Sequence, residues 1–170
     1  MHVSLAPVTA DLVGDLATWR EDASQRSEFD DFGPEEPGRL ARAFAHTGLP
    51  NLLLVMVTAS DPPGGHLAGM VSWRASQYGP NAESQGWNIG VSLKPQYRGA
   101  GIGTAAHRLL VGHLFATTDV LRLEAGTDIT NAPERGSPDH GRIPSRRRAP
   151  RCPVPPRGVP RHGHLRSSAV

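Results

Sequence analysis

The 170-residue chain predicts one α/β domain followed by a tail of different character, and three observations carry that expectation. Strand-length apolar runs alternate with helical stripes as far as Asn131. A glycine-rich turn joins one of those strands to a helix. Beyond residue 132 all apolar periodicity stops. The domain is therefore assigned to residues 1–132 and the tail to 133–170, a size at which one hydrophobic core is the ordinary outcome.

Val3 to Val8 reads as a first strand, and Thr9 as the cap of a helix from Asp11 to Asp22. Leu12, Leu16 and Trp19 fall at i, i+4 and i+7 of that helix, one apolar stripe with an acid in the first turn. Glu28 to Gly38 is a polar loop. A second helix over Pro37–His46 pairs Leu40 with Phe44. Leu52 to Thr58 is a continuous apolar run of strand length, closed by Asp61-Pro62-Pro63-Gly64-Gly65, whose residues favour a turn. His66 to Trp73 supplies the returning strand of an antiparallel hairpin. A loop through Tyr78-Gly79-Pro80-Asn81 leads to a strand over Trp87–Leu93. Ile102 to Ala116 forms a helix with Leu109, Leu110 and Leu114 expected inward. Val120 to Ala125 alternates, placing Leu121, Leu123 and Ala125 on the buried face and Arg122 and Glu124 outside. The order is strand, two helices, three strands, helix, strand, and Trp87 to Ala125 is a βαβ unit.

Charge divides at the same boundary. Residues 1–132 carry 9 Lys and Arg against 14 Asp and Glu, a net of −5, whereas 133–170 carry 9 Arg against Glu134 and Asp139, a net of +7. The basic character belongs to the tail, so the average charge of the chain is no argument that the domain binds nucleic acid. Cys152 is the only cysteine, which excludes an intramolecular disulfide and a cysteine metal cluster, and no metal site is expected. The N-terminus lacks a signal-peptide pattern. The longest aliphatic run, Leu52 to Val57, is far short of the roughly 20 residues that span a bilayer, so a cytoplasmic protein is expected.

The chemistry lies in Gly90-Val91-Ser92-Leu93-Lys94-Pro95-Gln96-Tyr97-Arg98-Gly99-Ala100-Gly101-Ile102-Gly103-Thr104. A strand stops at a proline, glycines let the backbone approach a ligand closely, and a helix begins among them. The unsatisfied amides of its first turn, at the positive end of the helix dipole, make an anion site suited to a diphosphate. Gly103 is followed by Thr104 without the lysine of a Walker loop, and the glycine spacing misses the dinucleotide fingerprint. The plainer alternative is that Gly99, Gly101 and Gly103 only build a tight strand-to-helix turn.

The spacing Gln/Arg-x-x-Gly-x-Gly/Ala, here Arg98 to Gly103, resembles the GNAT N-acetyltransferases. It is preceded by the strand and Pro95 and followed by a strand leading to Asp128 and Asn131. The likeness is strong from Trp87 to Asn131, weak from Val3, and nearest to the ribosomal-protein alanine N-acetyltransferase branch. It implies the GNAT (acyl-CoA N-acyltransferase) fold, a mixed, mostly antiparallel sheet flanked by helices. It implies acetyl-CoA as cosubstrate, held by Leu93, Arg98, Gly99, Ala100, Gly101, Ile102, Gly103, Thr104 and Asn131, with the strand of Leu93 splayed from the next. The reaction implied is attack of an amine, from a protein N-terminus or a small molecule, on the thioester.

Two departures stand out. Many family members carry Glu on the strand before the turn, where this chain has Asn88; an amide is no general base, which leaves Glu83, Glu124, a histidine (His46, His66, His107, His113) or a water chain. Glu124 is the carboxylate carried forward, beside its plainer reading as a solvent-facing strand residue. The second departure is the tail, where the resemblance calls for a helix, an Ala-Gly-Phe turn and two more strands, and the final strands are missing. Eight Pro and nine Arg stand there instead, a composition that buries too little to fold alone.

A one-nucleotide shift across Gly141 to Pro144 (GGN, CGN, ATH, CCN) permits Ala-Gly-Phe, and across Pro160 to Arg166 permits His-Asp-Met-Ala-Ile-Tyr. Residues from about Gly136 therefore read as an out-of-frame translation. Two other functions compete: a truncated module that binds acetyl-CoA without turnover, and phosphate neutralisation on nucleic acid by the tail, the weaker for want of interleaved aromatics. The unfinished sheet would leave Val120–Ala125 as an edge open to self-association as a homodimer.

Overall fold

The computed structural model describes residues 1–25, 36–58, 65–81 and 84–125. Elements run β1 (His2–Pro7), α1 (Ala10–Glu21), α2 (Arg39–Thr47), β2 (Leu52–Thr58), β3 (His66–Gln77), β4 (Gln85–Leu93), α3 (Ile102–Thr117) and β5 (Leu123–Ala125). The five strands form one sheet in chain order. The β1–β2, β2–β3 and β3–β4 pairs are antiparallel, and β4 and β5 are parallel across the α3 crossover. This is the mixed α/β sheet with flanking helices that the sequence predicts. Asn131, Glu83, the expected lack of later strands and the whole tail lie outside the described residues.

Period-2 alternation divides the sheet between two cores. Val55 and Val57 of β2, Val71 and Trp73 of β3 and Ile89 of β4 pack on α3, whose buried Ile102, Ala106, Leu110 and Leu114 recur every fourth residue. Fully burying a leucine such as Leu110 contributes roughly 1.5–3 kcal/mol, which is what holds α3 to the sheet. On the opposite face Leu54, Leu67, Met56 and Met70 pack against Leu16 and Trp19 of α1 and Leu40 of α2, with Leu12 and Phe44 beside them. Both helical stripes read from the sequence are the buried ones.

Two inward assignments fail. Leu109 is 42% exposed, because a 3.6-residue repeat turns it about 100° from Leu110 and off the face that Ile102 and Ala106 define. Leu121 is 53% exposed and Val120 is buried in its place. The chain leaves α3 through Thr118, whose hydroxyl donates to the Leu114 carbonyl and accepts from the Val120 amide. That exit turns Val120 into the core, so strand alternation begins only at Leu123. Thr9 is the α1 cap as expected, through its carbonyl, which accepts from the Leu12 and Val13 amides; its hydroxyl makes no cap bond.

Candidate functional site

β4 ends against β3, where the Lys94 amide donates to the Ala68 carbonyl at 2.8 Å. Pro95, fixed near helical φ, starts one 3-10 turn over Pro95–Tyr97. Gly99 and Gly101 then take φ of +74° and +75°, the left-handed region closed to most side chains. Gly101 is the N-cap of α3, and the first intrahelical bond runs from the Ala105 amide to the Gly101 carbonyl. The amides of Gly99, Ala100, Gly101, Ile102 and Gly103 donate to no backbone carbonyl of the described residues. A Cβ built on Gly99 or Gly101 meets nothing within 4 Å, so these glycines face open space. The turn is a concave row of donors at the positive end of a 16-residue helix, which is chemistry for a diphosphate. Residues 99–104, predicted from spacing, are brought together here.

Arg98 turns two of its donors toward the protein. Its Nε donates to the Leu93 carbonyl at 2.9 Å and a terminal nitrogen donates to the Gln25 carbonyl at 3.0 Å. The guanidinium thus ties the strand end to the segment after α1 and braces the turn. Lys94 lies with its ammonium 6.0 Å from the Trp19 ring, a second cation beside the turn.

Gly69 is a site residue the sequence reading passed over. It pairs with Leu93, and a Cβ there would lie 2.2 Å from the Ser92 carbonyl oxygen and 2.9 Å from the Leu93 Cα. Only glycine lets β3 approach this end of β4. An isolated glycine within a strand pattern was the available signal.

The β4 backbone has a consistent polarity. Lys94 donates toward β3 and Trp87 donates across to the Arg122 carbonyl beside β5, so alternation aims the Trp87, Ile89, Val91 and Leu93 amides at the β5 side. Pairing with β5 covers Trp87 to Ile89, and Ala125 is the last described residue of that strand. The Val91 and Leu93 amides point past it.

Glu124 lies on the face opposite α3. Tyr78 donates its hydroxyl to one Glu124 carboxylate oxygen, and Arg122 forms an ion pair with the other. The Arg122 guanidinium also stacks 4.4 Å above the Tyr78 ring, whose edge rests where a Gly86 Cβ would be. The Tyr78 hydrogen bond, supported by Arg122, holds the Glu124 carboxyl below the usual carboxylate range. Asn88 stands beside Glu124 in the β4–β5 register, and Arg74 stands beside Asn88 in the β3–β4 register. His113 lies behind the sheet, edge-on to Trp73 at 6.1 Å, on the α3 side. Among the described residues no group of three or more His, Cys, Asp or Glu is placed to hold a metal ion, and no helix is long and apolar enough to cross a membrane.

Comparison with known proteins agrees with this geometry. Among solved structures, the chain is similar to the aminoglycoside acetyltransferase AAC(6')-Ib in complex with coenzyme A (17% identity, TM-score 0.59, 79% of each chain covered). It is similar to Mycobacterium smegmatis RimJ in complex with CoA-disulfide (19% identity, TM-score 0.57, 78% of this chain and 66% of that one). It is also similar to yncA of Salmonella typhimurium with its cofactor acetyl-CoA (15% identity, TM-score 0.55, 79% of this chain and 75% of that one). These likenesses speak for the fold. No curated protein matches the chain. The family model described as an acetyltransferase (GNAT) domain matches residues 2–136, most of the sequence and every described element, and the chain belongs to the GNAT acetyltransferase family.

Proposed function

We propose that residues 1–132 form an acetyl-CoA-dependent N-acetyltransferase domain that acetylates the primary amine of a protein N-terminus or a small molecule. The observation that carries this reading is the row of donor amides from Gly99 to Gly103, set by two left-handed glycines at the end of β4. The cosubstrate's diphosphate fits that row together with Thr104 and the first turn of α3. Its pantetheine arm fits the Val91 and Leu93 amides, which offer strand-like hydrogen bonds on the β5 side. Ile102 anchors the helix start in the core, Arg98 braces the turn through the Leu93 carbonyl, and Asn131 is assigned to the cofactor region by family likeness alone. Acetyl-CoA supplies an activated acyl group: the amine nitrogen bonds the acetyl carbon, the carbon–sulfur bond breaks, the amine gives up a proton and the leaving thiolate takes one.

Glu124 is the carboxylate assigned to proton removal, relayed through water, although its bonds to Tyr78 and Arg122 make it a weak base. Calorimetry with acetyl-CoA tests the binding half of the proposal. A thiol-release assay over a panel of amines tests the transfer half. Absence of acetyl-CoA binding by the folded chain would remove both.

The tail from about Gly136 we read as out of frame, and the family match ending at residue 136 supports that reading. On this view the chain binds the cosubstrate but turns over slowly, since an out-of-frame tail would not encode the later strands that the family resemblance calls for. The β5 edge then favours self-association. Restoring the frame should raise turnover severalfold while leaving acetyl-CoA affinity unchanged. Salt-dependent binding of DNA that is lost on deleting 133–170 would favour the nucleic-acid function instead. A single cysteine and the soluble pattern of the sequence support a cytoplasmic location.

A further inference from the structure

Among the described residues, only half of the sheet face opposite α3 is covered. Helices α1 and α2 sit over β2 and the start of β3, through Leu54, Leu67 and Met70. The far half, over the rest of β3, β4 and β5, is polar. Its direction is fixed by contacts: Tyr78 packs where a Gly86 Cβ would stand, its hydroxyl reaches Glu124, and a Gly90 Cβ would face the Ser72 hydroxyl at 3.9 Å. By strand alternation Arg74, two residues beyond Ser72, shares this face, and Asn88 lies between Gly86 and Gly90 on the same side. The register sets Arg74, Asn88 and Glu124 in one row across three strands.

The charges in that row do not cancel. Glu124 is matched by Arg122 and Tyr78. Arg74 is exposed and makes no hydrogen bond or ion pair among the described residues, and neither does the Asn88 side chain. Gly90, exposed in mid-strand, opens the backbone next to this row. Asn88 and Gly90 belong to the same strand whose end carries the proposed cosubstrate, so a molecule lying on this face lies beside that strand.

Resting on the acetyltransferase reading, we infer that this face is the acceptor's seat and that Arg74 selects an amine that carries a carboxylate. The guanidinium supplies two parallel donors suited to a carboxylate, with the Asn88 amide as an adjacent donor. The acceptor amine then lies toward Gly90 and the end of β4. A polycation would bring its charge against Arg74 with no free carboxylate in the row to receive it.

The test uses the full chain saturated with coenzyme A and three probes: glycylglycine, glycylglycinamide and spermidine, followed by NMR titration. Glycylglycine should bind most tightly. Arg74→Ala should weaken it about tenfold, the scale of one charge-assisted pair, and leave glycylglycinamide unmoved. Arg74→Lys should restore part of the loss, and Arg74→Glu should reverse the preference toward spermidine. Coenzyme A affinity should be the same in all four proteins, since Arg74 is exposed and away from the glycine turn. Equal binding of glycylglycine and its amide, or tighter spermidine binding by the unaltered chain, overturns the inference and leaves the acetyltransferase reading intact. Failure of coenzyme A itself to bind overturns both.

Discussion

Replacing Gly101 by valine separates two costs that the structure predicts to differ greatly. The first is to the fold. Gly101 has φ +75°, and an L residue held in the left-handed region costs about 1–2 kcal/mol, with a β-branched one at the upper end. No protein atom lies within 4 Å of the added Cβ, so no packing clash adds to this strain. For a domain of this size the melting temperature should fall by roughly 3–8 °C, and the variant should still fold.

The second cost is to binding. The Cβ points into the open space where the diphosphate is placed, and the strained turn re-aims the amides on either side. Losing two charge-assisted amide–phosphate bonds at about 1.5–3 kcal/mol each weakens acetyl-CoA binding by 100-fold or more. Gly112→Ala is the control. It sits on the exposed side of α3 with nothing near its Cβ, so it should gain about 1 kcal/mol of helix propensity and leave binding alone. Calorimetry and thermal unfolding on the three proteins read both numbers. Unchanged affinity in a folded Gly101→Val variant would refute the placement of the diphosphate.

Three other perturbations follow from the same geometry. Gly69→Ala forces a methyl against the Ser92 carbonyl, so it should cost about 1–3 kcal/mol by overpacking and displace the strand end that carries Leu93. Denaturant unfolding and acetyl-CoA titration should therefore both report it, and an unaltered titration would contradict the role given to that strand end. Glu124 has a folded-state pKa below its unfolded value, so its bonds to Tyr78 and Arg122 stabilise the fold above the ordinary carboxylate pKa and are lost as pH falls through the lowered one. Tyr78→Phe should move the Glu124 titration upward in a carboxyl-carbon NMR experiment, and no movement would deny the hydrogen bond. For the tail, the coding DNA should read Ala-Gly-Phe when shifted by one nucleotide across Gly141 to Pro144; a sequence that forbids it removes the frame argument without an assay.

Most of the architecture was legible because it rests on periodicity. Leu12, Leu16 and Trp19 at helical spacing, and a continuous apolar run from Leu52, are local patterns whose burial any compact fold must satisfy. The two misplaced leucines show where local patterns stop deciding. Leu109 and Leu110 are adjacent and equally apolar, and only the sheet position under α3 selects one of them. Val120 and Leu121 compete in the same way, and the Thr118 hydroxyl bonds that settle the matter are tertiary detail.

The glycine turn was legible for a related reason: an anion site made of backbone amides needs glycines at fixed offsets, so its chemistry is written in spacing. Side-chain roles are not written that way. Arg98 matches the family pattern, and spacing alone makes it a natural phosphate ligand. Yet two of its five donors go to the carbonyls of Leu93 and Gln25, the second 73 residues away in sequence. Glu124 likewise reads as a free carboxylate until Tyr78, from a loop 46 residues earlier, is folded against it. Such partners depend on which loop crosses which strand, and that is decided by the packing of β3 on β4. The same packing leaves Arg74 without a described partner while Arg122 takes one. Two arginines of equal standing in the sequence thereby acquire different surroundings, one holding β5 to the Tyr78 loop and the other exposed on the face to which we assign the acceptor.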